Sequence, residues 1–115
     1  RAQYARALDA VETHMDLNPD DARAATIRAV ALCRVGRQAE GLEWGHRAVE
    51  IDPEDAGVRY NVACLCSVAG EVDRAVELVQ GAVAAGFGNR EWLERDPDLT
   101  AIRDDPRFQA ILADM

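Results

Sequence analysis

A proline recurs 34 residues apart in this chain, at Pro19 and Pro53, each within an (Asn/Asp)-Pro-x-Asp-Ala phrase. At the same offset small or apolar residues align in pairs: Ala29 with Ala63, Gly36 with Gly70, Leu42 with Val76, and Ala48 with Ala82. Self-similarity at a fixed period of this length is the mark of a repeated supersecondary unit. The repeat therefore restricts the chain to consecutive copies of one small unit and indicates where the copies join.

Each period contains two stretches with apolar residues at helical spacing. The first stretch runs from Asp20 to Val35, and its inward stripe consists of Ala25, Ala29, Leu32 and Val35, widened by Ile27, Val30 and Ala31. The second runs from Gln38 to about Ile51, after a break at Gly36. Asn18 and Asp52 are the predicted N-caps, with the prolines in the first helical turn. The pattern predicts an all-α chain of helical hairpins.

A 34-residue period with small residues, a mid-repeat glycine and a terminal proline resembles the tetratricopeptide repeat family. The resemblance implies a right-handed α-α superhelix of about two to three hairpins with a C-terminal helical cap. On this reading residues 1–115 form one domain. Its predicted parts are the second half of a truncated repeat (1–18), two repeats (19–52 and 53–86) and a degenerate capping segment (87–115).

The period decays after Gly86. Asn89 is a predicted cap of a short helix carrying Trp92 and Leu93, and a further helix is predicted to begin at Asp105-Pro106. Terminal units of repeat proteins cover the bare apolar edge of the last hairpin, and these aromatic and apolar side chains suit that task. The region 53–113 also resembles C-terminal repeat domains of bacterial multidomain signalling and regulatory proteins. Because the first helix starts within a repeat, we expect the chain to be a fragment of such a protein.

The composition of the chain argues against several classes of function. The chain has 21 acidic side chains against 13 arginines and no lysine, for a net charge of −8, which argues against nucleic-acid binding. No run of 18 apolar residues is present, so no membrane insertion is predicted. Cys33, Cys64 and Cys66 are an odd number without a disulfide framework, which favours a reducing, cytoplasmic compartment. Side chains at the Cys64 and Cys66 spacing point to different sides of a helix, so neither a metal site nor a cofactor is predicted.

The sequence contains no recognisable catalytic motif. His14 and His46 belong to no nucleophile phrase and no His-Glu-x-x-His motif, so we predict that the chain is not an enzyme. The segment 96–100 has spaced aspartates but lacks the turn glycine of a calcium loop. The alternatives that stay open are a metal or redox role for the cysteines, a metal site at Glu43, His46 and Glu50, and a calcium site at residues 96–100.

The family resemblance places ligands in a concave groove lined by the first helix of each hairpin. The implied groove positions are Arg23, Thr26, Val30, Cys33 and Arg34 in one repeat and Gly57, Tyr60, Asn61, Cys64 and Val68 in the next. The predicted function is a non-catalytic protein–protein interaction module that binds a peptide or partner helix. The alternative is a structural role, either packing on the parent protein or homodimerising through an N-terminal edge on which Tyr4, Leu8 and Val11 are unpaired.

Overall fold

The computed structural model describes residues 2–115, and every regular element in that range is helical. The elements in chain order are α1 (Ala2–Leu17), α2 (Ala22–Arg34), α3 (Gln38–Ile51), α4 (Ala56–Val68), α5 (Val72–Ala84), α6 (Arg90–Arg95), a 3₁₀ helix (Pro97–Ile102) and α7 (Pro106–Ala113). Two compact units contain them, Arg1–Pro53 and Glu54–Met115. The prediction of an all-α chain of helical hairpins with further helices at the C-terminus is confirmed. Among the described helices, none has the length and apolarity to cross a bilayer.

The starts of α2 and α4 differ from the prediction. Their N-caps are Asp21 and Asp55 rather than Asn18 and Asp52. Each aspartate accepts a hydrogen bond at 3.0 Å from the backbone N–H three residues further on, which satisfies one of the unpaired donors of the first turn. The Asp21 N–H donates to the Asn18 carbonyl at 3.2 Å, so the Asn-Pro pair forms a turn ahead of the helix. At α2 the Asp21 carboxylate also complements the positive end of the helix dipole, which the neutral Asn18 side chain does not.

Glycines end the first helix of each hairpin as predicted. Gly36 and Gly70 have φ values of 91° and 84°, and Gly86 ends α5 at 118°. After Gly36 the Arg37 N–H reaches back to the Leu32 carbonyl at 2.8 Å, which is the Schellman arrangement. Since positive φ is costly for residues with a Cβ, these three turns are tied directly to the sequence.

In the first unit α2 and α3 approach closely because the residues between them are small. Ala29 and Ala48 are fully buried. A Cβ added at Gly41 would lie 2.5 Å from the Cys33 Sγ and 2.8 Å from the Ala29 carbonyl oxygen. The hairpin therefore has no room for a side chain at Gly41.

Helix α1 packs on α2, and its apolar residues are already covered. Leu8, Val11 and Met15 are each at most 7% exposed. The expectation that Leu8 and Val11 are unpaired is wrong, because α2 supplies the surface against which α1 buries its stripe. The homodimer alternative thereby loses two of the three side chains on which it was argued, while the third, Tyr4, is half-buried.

An arginine stacked on a tryptophan ring connects the three helices of the first unit. The Arg28 guanidinium of α2 lies 4.0 Å from the centre of the Trp44 ring in α3, and its Nη2 donates to Glu12 of α1 at 3.1 Å. The Arg47 guanidinium lies 4.7 Å from the same ring centre. Cation–π contacts with both arginines hold the indole. Arg28 is thus part of the scaffold of this unit.

In the second unit the C-terminal helices pack on the α4–α5 hairpin. Leu93 and Phe108 are fully buried, whereas Trp92, which was predicted to cover apolar surface, is 54% exposed. The Arg107 Nη2 joins α7 to α5 through the Asp73 carboxylate at 2.8 Å.

The start of α7 contains an aspartate, Asp105, whose pKa is lowered by its hydrogen bonds. Hydrogen bonds from the Arg107 side chain, and then from its backbone N–H, lower the pKa of Asp105 to about 2. An unfolded aspartate titrates near a pKa of about 3.9, so this stabilisation is fully present above that pH. It is lost as the pH falls through the folded value. We expect the thermal midpoint of the native chain to drop between about pH 4 and pH 2, and the same drop to be smaller in Asp105→Asn. Parallel acid titrations followed by circular dichroism measure the difference, and identical titrations would contradict it.

Candidate functional site

Two of the predicted groove residues of α4, Tyr60 and Cys64, lie under the chain's own C-terminal segment. The Tyr60 hydroxyl donates to the Asp96 Oδ2, and the Cys64 Sγ lies 3.7 Å from the same oxygen. All three residues are at most 8% exposed. The other carboxylate oxygen, Oδ1, accepts from the Asp98 N–H at 3.0 Å and so caps the 3₁₀ helix. One buried carboxylate therefore joins the 3₁₀ helix to the α4 side chains.

Apolar contacts complete this cover. The 3₁₀ helix packs along α4, and its Leu99 and Ile102 are fully buried. The Phe87 ring stacks on Tyr60 with centroids 4.5 Å apart and an interplanar angle of 9°. The Arg103 Nη2 donates to the Asp96 carbonyl at 2.6 Å, which holds the end of the segment. We call the surface of α4 that includes Tyr60 and Cys64 the α4 face. It is occupied by residues 96–103.

Burial and the neighbouring Asp96 keep the side chains of Tyr60 and Cys64 protonated. Burial, and then the hydrogen bond to Asp96, raises the pKa of Tyr60 far above its usual range. Burial, and then the negative charge of Asp96, raises the pKa of the Cys64 thiol to about 12. Since thiolates are the reactive and metal-binding form, Cys64 is a poor nucleophile here.

The same cluster of side chains is poorly suited to bind a metal ion. The Cys64 Sγ and carboxylate oxygens of Asp96 and Asp98 lie within 4.8 Å of one another. However, both Asp96 oxygens already accept hydrogen bonds from protein donors, and the thiol holds its proton. The donor set is that of a hydrogen-bonded contact rather than of a cation site.

One side of α2 is open to solvent. Arg23 and Arg34 are exposed, Val30 is half-buried, and Ile27 is 53% exposed. Their spacing of four, three and four residues places all four on one side of the helix. We call this set the α2 face. Its centre is apolar and each end carries an arginine.

Of the remaining predicted groove residues, some are buried or half-buried and the others are exposed. Thr26 is 5% exposed, and its hydroxyl donates to the Ala22 carbonyl at 2.9 Å, so its polar group is satisfied within α2 and is not presented to solvent. Cys33 is half-buried beside Gly41. On α4, Gly57, Asn61 and Val68 are exposed.

Sequence reasoning missed two members of these surfaces. Ile27 was assigned to the inward stripe, although its spacing from Arg23 and Arg34 already placed it on their side. Asp96 was read as a turn residue and a weak calcium candidate. No local signal could have paired it with Tyr60, 36 residues away.

The histidine near the first unit's turn has a structural contact. The His14 Nε2 lies 2.8 Å from the Asp21 Oδ2, and both side chains are solvent-accessible. The backbone N–H of Ala24, and then His14, lowers the pKa of Asp21. His14 thus supports the N-cap of α2.

Comparison with known proteins supports a repeat architecture. The chain matches no protein-family model. It is 30% identical over 82 residues to the mouse protein "Interferon-induced protein with tetratricopeptide repeats 3". The match includes 71% of this chain but only 20% of the mouse protein, so the chain spans about a fifth of that relative's length. Together with the helical hairpins, this similarity points to helical repeats of the tetratricopeptide type.

Proposed function

We propose that the chain is a non-catalytic protein–protein interaction module that binds a peptide or a partner helix on the α2 face. The observation that carries the proposal is the exposure of Ile27 at the centre of a helix that buries most of its other apolar residues. Similarity to a protein named for its tetratricopeptide repeats, and the family resemblance of the sequence, support an interaction role.

The proposal is argued from the incomplete burial of two apolar side chains of α2. α2 buries seven residues against its neighbours, while Ile27 and Val30 keep contact with water. Covering the exposed part of an isoleucine contributes about 1–2 kcal/mol. The arginines at either end can add charge-assisted hydrogen bonds that orient a partner. An apolar centre with polar ends is the usual composition of an interaction surface.

The α4 face enters this proposal differently. Asn61 is exposed and can bond a partner's backbone in the conformation described here. Tyr60 and Cys64 can bind a ligand only if residues 96–103 leave α4. We therefore propose that α2 supplies the primary contact.

We also propose that the module belongs to a larger bacterial regulatory protein. This proposal rests on the resemblance of the C-terminal region to repeat domains of such proteins. Reading the coding sequence on both sides of this segment tests it directly.

The binding proposal is tested by affinity capture from a lysate of the source organism. The immobilised chain is compared with Ile27→Asp and Arg34→Glu, and with Arg6→Glu as a control. Arg6 is an exposed arginine of α1, so its reversal changes the net charge equally at another place. We expect a partner captured by the native chain and by Arg6→Glu, and at least tenfold depleted on both α2 variants. Equal capture by all four proteins would contradict binding at α2, provided that circular dichroism shows them equally helical.

A further inference from the structure

We propose that the second unit binds a small organic oxyanion, a carboxylate or a phosphate monoester, in a cavity lined by α6, α7 and the residue that follows the 3₁₀ helix. The site lies outside the α2 face and goes beyond the proposed function. Three features of the cavity support it: the side chains that line it, a buried guanidinium N–H without an acceptor, and a local charge opposite to that of the unit.

The cavity brings together polar side chains from separate elements. Its volume is about 330 Å³, at the small end of the range of about 300–1,000 Å³ for ligand pockets. Residues four apart on α6 and three apart on α7 share a side of their helix, and Arg103 directly follows the 3₁₀ helix. The lining consists of Arg90, Glu94, Arg103, Gln109 and Leu112. Four of these side chains are polar, so the cavity suits a small polar ligand.

Arg103 is held in place at this cavity. Its Nη2 donates to the Asp96 carbonyl at 2.6 Å, and its own carbonyl accepts from the Gln109 Nε2 at 2.7 Å. Its neighbour Ile102 is fully buried. Because the arginine is already ordered, a ligand that contacts it sacrifices little conformational freedom of the protein.

The protein does not satisfy the whole Arg103 guanidinium. Its Nε is shielded from solvent and has no hydrogen-bond acceptor among residues 2–115. A guanidinium has five N–H donors, and the bond to the Asp96 carbonyl uses one of them. A buried donor without an acceptor is destabilising, and an anion beside the guanidinium compensates its charge. The ligand chemistry that Arg103 favours is therefore that of an oxyanion.

Arg90 adds a second guanidinium to the lining. Its Nε donates to the Glu94 Oε1 at 2.8 Å, a bond that does not use either of its Nη groups. The two side chains are 53% and 45% exposed, and an exposed pair at this spacing contributes little to stability. An incoming anion can therefore share Arg90 with Glu94 or displace that carboxylate.

The charge of the cavity is opposite to that of its surroundings. The second unit has twelve acidic and six basic side chains, whereas the lining has two arginines and one glutamate. The planar fork of a guanidinium matches the paired oxygens of a carboxylate or a phosphate. Leu112 supplies the apolar part of the lining, so the ligand is an oxyanion attached to a small apolar group.

The test is a heteronuclear NMR titration of the isotope-labelled chain, followed through its backbone amides and its arginine Nε–H groups. The probes are phenyl phosphate, benzoate and benzyl alcohol at constant ionic strength. All three contain a phenyl ring, so the two acids distinguish a phosphate from a carboxylate and the alcohol reports binding of the ring alone.

We expect at least one of the two acids to shift the Arg103 Nε–H resonance, and benzyl alcohol to leave it unchanged. The acid that binds more tightly identifies the head group. Arg90→Gln is expected to weaken binding about tenfold, as the loss of a charge-assisted hydrogen bond does. Arg95→Gln is the matched control, because Arg95 pairs with Glu91 at 3.0 Å on the same helix and does not line the cavity. It is expected to bind as tightly as the native chain.

A second matched pair tests the competing carboxylate. Glu94→Gln removes the negative charge from the lining and releases Arg90, so we expect binding about threefold tighter than in the native chain. Glu91→Gln removes the same charge from the same helix outside the cavity, and its effect on the affinity should be smaller.

Four results overturn the inference. The first is an Arg103 Nε–H resonance that neither acid shifts, and the second is an equal shift by benzyl alcohol. The third is equal affinity in Arg90→Gln and Arg95→Gln. The fourth is loss of binding in Ile27→Asp, since that would place the acid on the α2 face.

Discussion

Replacing Asp96 with alanine is expected to lower the free energy of unfolding of the Glu54–Met115 unit by about 3 kcal/mol. The substitution removes the acceptor for the Tyr60 hydroxyl and for the Asp98 N–H, and it leaves a buried hydroxyl without a partner. Hydrogen bonds to a charged group contribute about 1.5–3 kcal/mol each, and an unsatisfied buried donor costs about 1–3 kcal/mol. Part of the loss is offset because a buried carboxylate no longer has to be desolvated.

Hydrogen exchange followed by mass spectrometry measures this effect in each unit separately. We expect faster exchange in peptides from residues 90–103 and little change in those from residues 2–53. Alkylation of Cys64 in the native protein gives a second readout, because its thiol becomes accessible when the segment leaves α4. Asp96→Asn is the matched control: its amide retains one acceptor of similar shape, so it should lose less than the alanine variant.

A double-mutant cycle with Tyr60→Phe separates the two roles of Asp96, its hydrogen bond to Tyr60 and its capping of the 3₁₀ helix. The two residues should show a coupling energy of about 1 kcal/mol or more, because each single change already removes their hydrogen bond. Additive effects, or unchanged protection of residues 90–103 in Asp96→Ala, would show that the carboxylate does not hold the segment.

Gly41→Ala is expected to lower the free energy of unfolding of the first unit by about 1–2 kcal/mol. The new methyl group would meet the Cys33 Sγ and the α2 backbone at 2.5–3.0 Å, so α2 and α3 would have to separate. Overpacking of this kind costs about 1–3 kcal/mol, which outweighs the roughly 1 kcal/mol gained in helix propensity.

Gly81→Ala is the matched control, since it also places a methyl group on the second helix of a hairpin. The atoms nearest to that methyl group belong to the Arg59 side chain, which is flexible and can move. We expect a stability within about 0.5 kcal/mol of the native chain, or a small gain. Urea denaturation with unit-specific hydrogen exchange compares the two. Equal effects at both glycines would contradict the argument from close helix approach.

The repetitive part of the fold was predictable because its signals are local and occur twice. The bounds of α3 and the glycine turns at Gly36 and Gly70 follow from periodicity and from the φ requirement of a helix end. The N-caps were misplaced because both the residue before each proline and the aspartate three positions later can cap a helix. Only the hydrogen bonds to the first turn distinguish them.

The candidate surfaces were harder to predict for two separate reasons. Residue spacing tells which side chains share a side of a helix, but not which side meets a neighbour. Ile27 was therefore assigned inward and is exposed. The cover on α4 depends on a contact between residues 36 positions apart, in a region where the period no longer guides alignment. Whether the remaining groove residues bind a ligand stays a prediction.

The seating of residues 96–103 on α4 would give that helix two conflicting duties if an outside ligand also bound there. A substitution at Tyr60 or Cys64 that improved contact with an outside ligand would also alter the fastening of the chain's own segment. Selection for such binding and selection for a closed end would then act on the same few side chains. The side chains of the α2 face are not part of that fastening, so the binding proposed there can change its specificity without loosening the C-terminal helices.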